Sequence, residues 1–371
     1  MKESINFKSK EYPFLKVPTR VTEQIWDEST SPLVSISCIT YNQESLIKDA
    51  IEGFLMQETT FRVMIHIYDD ASTDDTVEVI DSYVQKYPNL FKTIYQAENQ
   101  RSKGIKTRPQ IQYPTLKDCK YIANCDGDDY WIDSSKLQKQ VDFLELNPEY
   151  IICSHCVKYY YEEDNTLGVD AHLPGEYTIV DLTKTVPFQS VSVVLRNDPK
   201  LSLPNWFAQI STGDWGLYLF LLQHGGAKKM EDVMGVYRIH SNGVWAGNYS
   251  KQNLMRLTTL WVLKDKFSEN VNTLLTKNYL KYLVLVYNEY IKTNQYDKAC
   301  ELFEKSKAEI PIEYYPLFEV GTSILIQNQK ELIQKNELIN KIMTSKSYKL
   351  GNKIINAITF MFPFKRKTND F

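Results

Sequence analysis

The strongest constraint on the fold is an alternation of strand and helix patterns between residues 33 and 95. Residues 33–40 (LVSISCIT) and 62–68 (RVMIHIY) are continuous β-favouring runs, typical of strands buried on both faces. A third strand is expected at 91–95, and apolar residues recur at helical spacing in the segments between these runs. Strand, helix, strand, helix, strand predicts βαβ units, and therefore a Rossmann-like α/β fold whose mainly parallel sheet is flanked by helices.

A further strand and helix pattern, residues 120–144, carries an acidic cluster at its centre. Residues 121–123 (YIA) indicate a buried strand that runs into Asp126-Gly127-Asp128-Asp129, and helical spacing resumes afterwards. Carboxylates crowded at a strand end repel one another, so they favour a site that holds a cation. A hard divalent cation that also needs substrate phosphates fits this chemistry best. Taken alone, the cluster could also bind calcium, cap a helix or have no role.

Polar clusters follow three of the predicted strands: Thr40-Tyr41-Asn42, Asp69-Asp70 and residues 126–129. In parallel sheets, ligands bind outside the carboxyl ends of the strands. A single cluster could be a solvated turn with capping aspartates, and Asp74-Asp75 is interpreted that way, before a helix that Ser72 or Thr73 could cap. Three clusters at one sheet edge indicate a binding site.

In their order and spacing, these segments resemble the inverting nucleotide-sugar glycosyltransferases of family 2, which have the GT-A fold. The resemblance covers about residues 32–245, and it rests on residues 34–42, 69–76 and 126–131. It implies a nucleotide-sugar donor and a catalytic domain of the GT-A class. The processive synthases of this type carry a Gln-x-x-Arg-Trp motif that this chain lacks, so a polymerising, exporting synthase is not expected.

The resemblance also assigns donor-binding residues. Tyr41 would stack near the nucleobase, and Asp70 would accept a hydrogen bond from the base or the ribose, with Asp69 beside it. The expected donor-binding set is Thr40, Tyr41, Asn42, Glu44, Asp69, Asp70, Asp126 and Gly127.

The expected cofactor is Mn²⁺ or Mg²⁺, held on the diphosphate of the donor by the acidic cluster. We expect Asp128 to be the main ligand, with Asp126 assisting, while Asp129 could instead cap the following helix. His240 would complete the coordination of a manganese ion as a neutral imidazole, or it would contact the diphosphate.

Asp214 is the expected catalytic base. It precedes an apolar helical run at residues 217–223, where it could also be an N-cap. In the resembling family an acidic residue ahead of this helix takes the acceptor proton, commonly as the second member of a Glu-Asp pair. Here Gly213 occupies the first position, which leaves Asp214. The reaction needs such a carboxylate on the face of the sugar opposite the leaving group.

Three further stretches contribute to the predicted fold and site: residues 150–161, residues 186–197 and a basic segment. Residues 150–161 and 186–197 are predicted strands, the second expected to line the acceptor side. Cys153 and Cys156 have CxxC spacing, but no second ligand pair accompanies them, so buried structural thiols are expected. A basic segment would either reach the diphosphate or form a solvated loop, and its cationic residues are Arg101, Lys103, Lys106 and Arg108.

The predicted domain organisation is an N-terminal extension (1–31), the GT-A domain (32–248), an all-α accessory domain (249–340) and a basic amphipathic tail (341–371). The accessory domain would serve packing, homodimer formation or partner binding. The tail suits a helix lying on an anionic membrane surface, or one docked on its own domain. Its longest uncharged apolar run is about half of the roughly 20 residues that a membrane span requires.

Composition excludes some classes of function. The net charge of -3 offers no basic excess for nucleic acid. Six cysteines are too few for a disulfide scaffold, and the N-terminus lacks a signal-peptide pattern, so we expect a cytoplasmic protein, peripheral on the inner face of the membrane.

The leading hypothesis is a metal-dependent inverting glycosyltransferase acting on a hydroxyl of a glycan or lipid-linked acceptor in bacterial surface polysaccharide synthesis, with a UDP-sugar as the expected donor. One alternative is a sugar-nucleotide pyrophosphorylase, although residues 40–44 lack the Gly-rich basic loop of that class. The other is a non-catalytic nucleotide-sugar-binding adaptor.

Overall fold

The computed structural model describes residues 12–198, 202–241, 243, 249–310, 337 and 341. The strands are β1 (Thr19–Arg20), β2 (Val34–Thr40), β3 (Glu58–Thr59), β4 (Val63–Asp69), β5 (Phe91–Tyr95), β6 (Tyr121–Asp126), β7 (Tyr130–Trp131), β8 (Tyr150–Tyr161), β9 (Thr166–Val169), β10 (Gly175–Tyr177), β11 (Val194–Arg196) and β12 (Gly226–Ile239). The helices are α1 (Ile47–Leu55), α2 (Thr76–Lys86), α3 (Lys136–Leu146), α4 (Ile179–Leu182), α5 (Gly213–Leu221), α6 (Tyr249–Leu263), α7 (Glu269–Lys292) and α8 (Tyr296–Ser306).

Ten strands form one mixed sheet in the order β10-β12-β8-β11-β6-β2-β4-β5, with β7 added to β12 and β9 to β8. The strands β6, β2, β4 and β5 are all parallel, as the strand and helix alternation predicts. Strand β11 runs antiparallel between β6 and β8, so it joins this parallel half to a second half in which β8 and β12 are parallel. The predicted α/β fold with a following set of helices is confirmed.

The parallel half is held by side chains from both faces. Nearly every residue of β2 and all of β4 are buried, which explains their continuous apolar sequences. Helices α1 and α3 contribute to the same apolar core as these strands. Phe54 of α1 packs edge-to-face on Trp131, with ring centroids 4.9 Å apart. This contact anchors the chain directly after the acidic cluster.

The strand predicted over residues 186–197 is much shorter in the structure. Only β11 is extended, and residues 190–192 form a 3-10 turn in front of it. The turn has a physical cause, because Trp131 Nε1 donates to Val191 O at 2.8 Å and Ser190 turns towards Asp126. These contacts draw the backbone away from the sheet.

The longest strand, β12, was not predicted over residues 226–235. Its hydrophobic pattern is interrupted by charged residues and by register shifts against β8. One of those charges is buried: Lys229 donates to Asp170 at 2.7 Å and to Pro187 O at 2.9 Å. A buried ion pair within a strand hides the alternation on which sequence reasoning depends.

Helices α6, α7 and α8 confirm that the chain turns helical after the sheet. The chain divides into two compact units, residues 1–282 and 283–371. Apart from Lys341, the predicted tail 341–371 lies outside the described residues. Within the described part of the chain, no helix is long and apolar enough to cross a membrane. The predicted boundaries at 31, 248 and 340 stay predictions.

Candidate active site

The three polar clusters meet at one edge of the sheet. Strand register pairs Thr40 with Asp69 and Ile39 with Asp126, so the ends of β2, β4 and β6 are neighbours. Asp70 N donates to Thr40 O at 3.0 Å, which links two of the clusters directly. The parallel arrangement therefore brings together residues that are 29 or more positions apart in the chain.

The loop after β2 is interlocked with the loop after β4. Asn42 Oδ1 accepts from Thr73 N at 2.8 Å, and Glu44 Oε2 accepts from Asp75 N at 2.9 Å. Tyr41 remains 45% exposed at the end of the strand. Of the residues predicted here to bind the donor, Asn42 and Glu44 thus hold the loop pair together, while the Tyr41 ring faces solvent.

Thr40 and Gly127 form a close contact beneath this loop. Thr40 is buried, and its hydroxyl donates to Gln43 Oε1 at 2.8 Å. A Cβ on Gly127 would lie 3.0 Å from Thr40 Cβ and 2.9 Å from Ile47 Cδ1. A larger residue at position 127 would therefore have to displace side chains of the loop after β2 and of α1.

Asp69 and Asp70 are both buried, and both carboxylates accept hydrogen bonds from the protein. Asp69 accepts from Ser72 N at 2.9 Å and from the Ser72 hydroxyl. Asp70 accepts from Tyr68 Oη at 3.0 Å, from Gln100 N at 2.8 Å and from Arg101 N at 3.0 Å. Their carboxylates shape the surrounding loops in this structure, and their contacts with a donor stay predictions.

The helix that follows Asp69-Asp70 starts at Asp74-Asp75, the pair interpreted as capping aspartates, and not at Ser72 or Thr73. Its N-cap is Asp75, and the backbone amide of Thr76 is held by Asp74 Oδ1 at 3.1 Å. Ser72 is unable to cap α2 because its hydroxyl is turned towards Asp69.

The acidic cluster has the donor set of a hard-cation site. One oxygen from each of Asp126, Asp128 and Asp129 lies within 4.8 Å of the others. Asp129 is buried, accepts from Arg238 N at 2.9 Å, and leaves Oδ2 buried without a hydrogen-bond partner. Burial and the two neighbouring carboxylates raise the pKa of Asp129. A divalent cation would satisfy the orphan oxygen and offset the repulsion, so the residues present fit Mn²⁺ or Mg²⁺.

The alternative interpretation, in which Asp129 caps the helix that follows, is wrong. The residue that supports the start of α3 is Asp133, whose Oδ1 accepts from Ser135 N at 2.8 Å. Asp129 instead reaches across to β12 and accepts from the Arg238 backbone.

His240 lies beside the cluster, as predicted from its position in the sequence. Its Nε2 is 3.2 Å from Asp128 Oδ2, and this hydrogen bond raises the pKa of the imidazole. Arg238 donates to Asp128 O at 3.2 Å, pairs with Asp49, and stacks 4.5 Å from the Tyr130 ring centroid. The end of β12 thus supports the cluster through both its backbone and its side chains.

Asp126 is held from two sides by groups of the protein. Arg108 Nη2 donates to its Oδ1 at 2.8 Å, and Ser190 Oγ donates to its Oδ2 at 2.6 Å. Arg108 is buried and also bonds Ser37 and Cys125 O. Of the two interpretations of the basic segment, neither a solvated loop nor a free phosphate ligand describes this guanidinium.

Asp214 occupies the first turn of α5, whose N-cap is Thr212, so Asp214 is not the N-cap itself. The Asp214 residue is exposed as a whole. The protein around its carboxyl nevertheless excludes part of the water, and this desolvation is the main cause that raises the pKa of the carboxyl. The Arg108 charge opposes this shift and the Asp126 charge adds to it. The Asp214 carboxylate thus lies within electrostatic reach of both Asp126 and Arg108, and its role as a base stays a prediction.

Residues 35–198 match the profile of glycosyl transferase family 2. This match identifies residues 35–198 as a region of the glycosyl transferase family 2 type. The match includes the three strand ends and Ser190, whereas Asp214 and His240 lie beyond it. The family match therefore covers the strand ends of the site, and the structure alone connects the other two residues to them.

Two curated relatives illustrate the similarity within family 2. The uncharacterized protein Rv1520 of Mycobacterium tuberculosis is 34% identical over 229 residues, which are 58% of this chain and 62% of that protein. The chain thus spans about three-fifths of the length of this relative. The UDP-Glc:alpha-D-GlcNAc-diphosphoundecaprenol beta-1,3-glucosyltransferase WfaP of Escherichia coli is 28% identical over 220 residues, 59% of this chain and 82% of that protein.

Solved structures share the family 2 fold at low sequence identity. TarS of S. aureus has a TM-score of 0.56 at 14% identity, covering 80% of this chain and 53% of that chain. The mannosyltransferase PcManGT of Pyrobaculum calidifontis, in complex with GDP-Man and Mn²⁺, has a TM-score of 0.50 at 14% identity and covers 93% of this chain and 92% of that chain. These likenesses establish the GT-A fold of the chain.

The contacts of Ser190, Arg238 and Arg108 with the acidic cluster were not predicted from the sequence. Ser190 lies in the segment expected to line the acceptor side, and Arg108 was one of four cations in a segment with two interpretations. Their contacts join positions 18 to 110 residues apart. Pattern analysis has no signal for such pairs, because neither helical nor strand spacing relates them.

Proposed function

We propose that the protein is a metal-dependent inverting glycosyltransferase that transfers one sugar from a nucleoside diphosphate donor, with UDP as the expected nucleotide, to a hydroxyl group. The observation that carries the proposal is the pairing of the acidic cluster with Asp214. The cluster offers oxygen ligands within 4.8 Å of one another, and Asp126 is close enough to raise the pKa of the Asp214 carboxyl.

The donor would lie over the ends of β2, β4 and β6. The exposed Tyr41 ring offers a stacking face for the nucleobase, and Asp128 with His240 would hold a divalent cation. When bound, this cation neutralises charge that develops on the leaving diphosphate. Arg108 is paired with Asp126 and would hold that carboxylate in place beside the cation.

Transfer would occur in a single displacement. The acceptor oxygen attacks the anomeric carbon and forms the new C–O bond, while the bond from that carbon to the diphosphate oxygen breaks. Asp214 accepts the proton of the acceptor hydroxyl, and the nucleoside diphosphate leaves with the bonding electron pair. The raised pKa of Asp214 makes it a stronger base than an ordinary aspartate, which suits this role.

The direct test compares the intact protein with Asp214→Asn. With Mn²⁺ and a panel of nucleotide sugars, the wild type is expected to release nucleoside diphosphate, and the variant to lose about 10²–10⁴-fold in turnover. Donor binding, measured by calorimetry, should stay within twofold. Full activity in a folded Asp214→Asn protein would exclude the base assignment.

The same assay separates the other hypotheses. Donor binding without release of nucleoside diphosphate by the wild type would favour an adaptor. Formation of nucleoside triphosphate from donor and pyrophosphate would indicate a pyrophosphorylase.

The acceptor is proposed to be a glycan or a lipid-linked sugar in bacterial surface polysaccharide synthesis. Support comes from the name of WfaP, which describes transfer of glucose from UDP-Glc onto a diphosphoundecaprenol-linked sugar. A lipid-linked acceptor would place the enzyme at the inner face of the membrane, where the tail 341–371 would bind anionic lipid. Sedimentation with anionic vesicles, before and after removal of the tail, tests this part; equal sedimentation would contradict it.

A homodimer formed through the helical accessory domain is the last part of the proposal. Light scattering of the full chain distinguishes a dimer from a monomer. A full chain that remains monomeric at assay concentration would contradict it.

A further inference from the structure

Helix α6 makes direct contact with the start of the helix that carries Asp214. Thr259 Oγ1 accepts from Ser211 N at 3.1 Å and from Thr212 N at 2.9 Å. The Thr212 hydroxyl lies 2.9 Å from the same oxygen. Thr259 is completely buried and Thr212 is 8% exposed, so these contacts are shielded from water. Hydrogen bonds in such surroundings hold their partners in one geometry.

The contact replaces the usual cap of α5. Thr212 is the N-cap residue, but its side chain makes no capping hydrogen bond to the helix. Threonine at this position ordinarily turns its hydroxyl to an amide of its own helix. Here the hydroxyl turns to Thr259 instead, so the start of α5 is tied to α6. Asp214 lies two residues after this tie.

Apolar packing holds the same segment from the other sides. A Cβ on Gly216 would lie 2.2 Å from Ile210 Cδ1, which shows how closely the chain before α5 lies against the helix. Trp206 packs edge-to-face on Phe267, which lies between α6 and α7, with centroids 6.0 Å apart. The segment 206–212 therefore contacts both α5 and the following helices.

We infer that Thr259 is a positioning residue for Asp214, and that α6 is part of the catalytic machinery. This inference rests on the proposed function of Asp214 as the base. It also departs from the prediction that residues from 249 onwards form an accessory domain for packing or partners. A shift of about 1 Å in a catalytic group costs on the order of 10²-fold in rate, so the tie has a direct effect on turnover.

The test uses the full chain with Thr259→Val, which keeps the shape of the side chain and removes the oxygen. Turnover at saturating donor is expected to fall about 10- to 100-fold, while KM for the donor stays within twofold, because the donor half of the site is untouched. Thr259→Ser, which restores the oxygen, is expected to return turnover to within about threefold of the wild type.

The matched control is Thr273→Val on α7, an exposed threonine whose hydroxyl bonds only Glu269 O of its own helix among its described contacts. Its turnover and KM are expected to match those of the wild type. Should Thr259→Val fail to fold, Thr259→Ala and Thr259→Ser provide the same comparison, with circular dichroism as the check of folding.

Unchanged turnover in a folded Thr259→Val or Thr259→Ala variant would overturn the inference. A Thr259→Ser variant as slow as Thr259→Val would also overturn it, and so would a rise in the KM for the donor that parallels the fall in turnover. Each of these results would indicate that the substitution loosens the protein in general. A wild type without transferase activity would count against the proposed function itself. An active wild type with an unaffected Thr259→Val variant would count against this inference alone.

Discussion

Arg108 Nη2 donates to Asp126 Oδ1 at 2.8 Å, and this ion pair links the basic segment to the first carboxylate of the acidic cluster. The Arg108 side chain is 6% exposed and that of Asp126 is 35% exposed, so the pair lies at the border between core and site. A guanidinium in this position lets three carboxylates approach one another at the end of one strand. Together with the hydrogen bond from Ser190 to Oδ2, it leaves both oxygens of Asp126 hydrogen-bonded within the protein.

Replacing Arg108 with methionine is expected to lower the free energy of unfolding by about 1–3 kcal/mol. The variant removes the Arg108 hydrogen bonds to the Asp126 carboxylate and the Ser37 hydroxyl, although the exposed third of Asp126 limits the penalty. Urea denaturation measures the loss. In the double variant with Asp126→Asn the loss should be smaller than the sum of the single losses, and strict additivity would contradict the coupling. Arg101→Met, at an exposed position, serves as the control.

Divalent-metal binding should depend more on Asp128 than on Asp126. Both oxygens of Asp126 accept hydrogen bonds from Arg108 and Ser190, whereas the described hydrogen bonding of Asp128 Oδ2 is with His240. Calorimetric titration with Mn²⁺ in the presence of UDP is expected to show at least a roughly tenfold weaker affinity for Asp128→Asn, and a smaller effect for Asp126→Asn. A larger loss in the Asp126 variant would reverse this order.

Gly53→Ala should destabilise the protein even though alanine favours helices. A Cβ at Gly53 would lie 2.9 Å from Trp131 N and 3.1 Å from Trp131 O, and backbone atoms have little room to move. Overpacking of this kind costs about 1–3 kcal/mol, against a helix-propensity gain of about 1 kcal/mol. Thermal unfolding measures the difference. Gly213→Ala is the matched control for stability, since a Cβ at that position would meet nothing within 4 Å; equal effects at both glycines would refute the steric cause.

Lys136 is expected to make stability depend on pH. It is completely buried, donates to Gln140 Oε1 at 2.8 Å, and lies 4.1 Å from the Trp131 ring centroid. Burial lowers the pKa of Lys136 to about 7. Between that value and the usual lysine pKa of about 10.4, the unfolded chain binds more protons than the folded one, so the free energy of unfolding rises with pH.

The contribution of Lys136 has a maximum slope of about 1.4 kcal/mol per pH unit. Denaturation from pH 7 to 10 should therefore show a steeper rise for the wild type than for Lys136→Met. The methionine variant should gain most over the wild type at the lowest pH of this range. Parallel pH profiles for the two proteins would show that Lys136 is protonated in the folded state throughout.

Local patterns predicted the first half of the sheet closely. The runs that became β2, β4 and β6 are buried on both faces, and the cluster at 126–129 follows directly from the end of β6. Strand β12 was not predicted because Lys229 interrupts its apolar pattern. This lysine is buried only because it pairs with Asp170, which lies 59 residues away in the chain. Residues 186–197 were predicted as one strand because the hydrogen bond from Trp131 to Val191 O, which accompanies the turn in this segment, is a tertiary contact that the local sequence does not show.

The acidic cluster, the polar strand ends and the position of Asp214 ahead of an apolar helix are properties of the sequence itself. Each depends on neighbours within a few positions, where strand and helix periodicity carry information. Tertiary structure alone decided that Arg108 pairs with Asp126, that Arg238 supports Asp129, and that Thr259 ties the start of α5. These contacts join segments distant in the chain, and they exist only once the sheet and the following helices have packed.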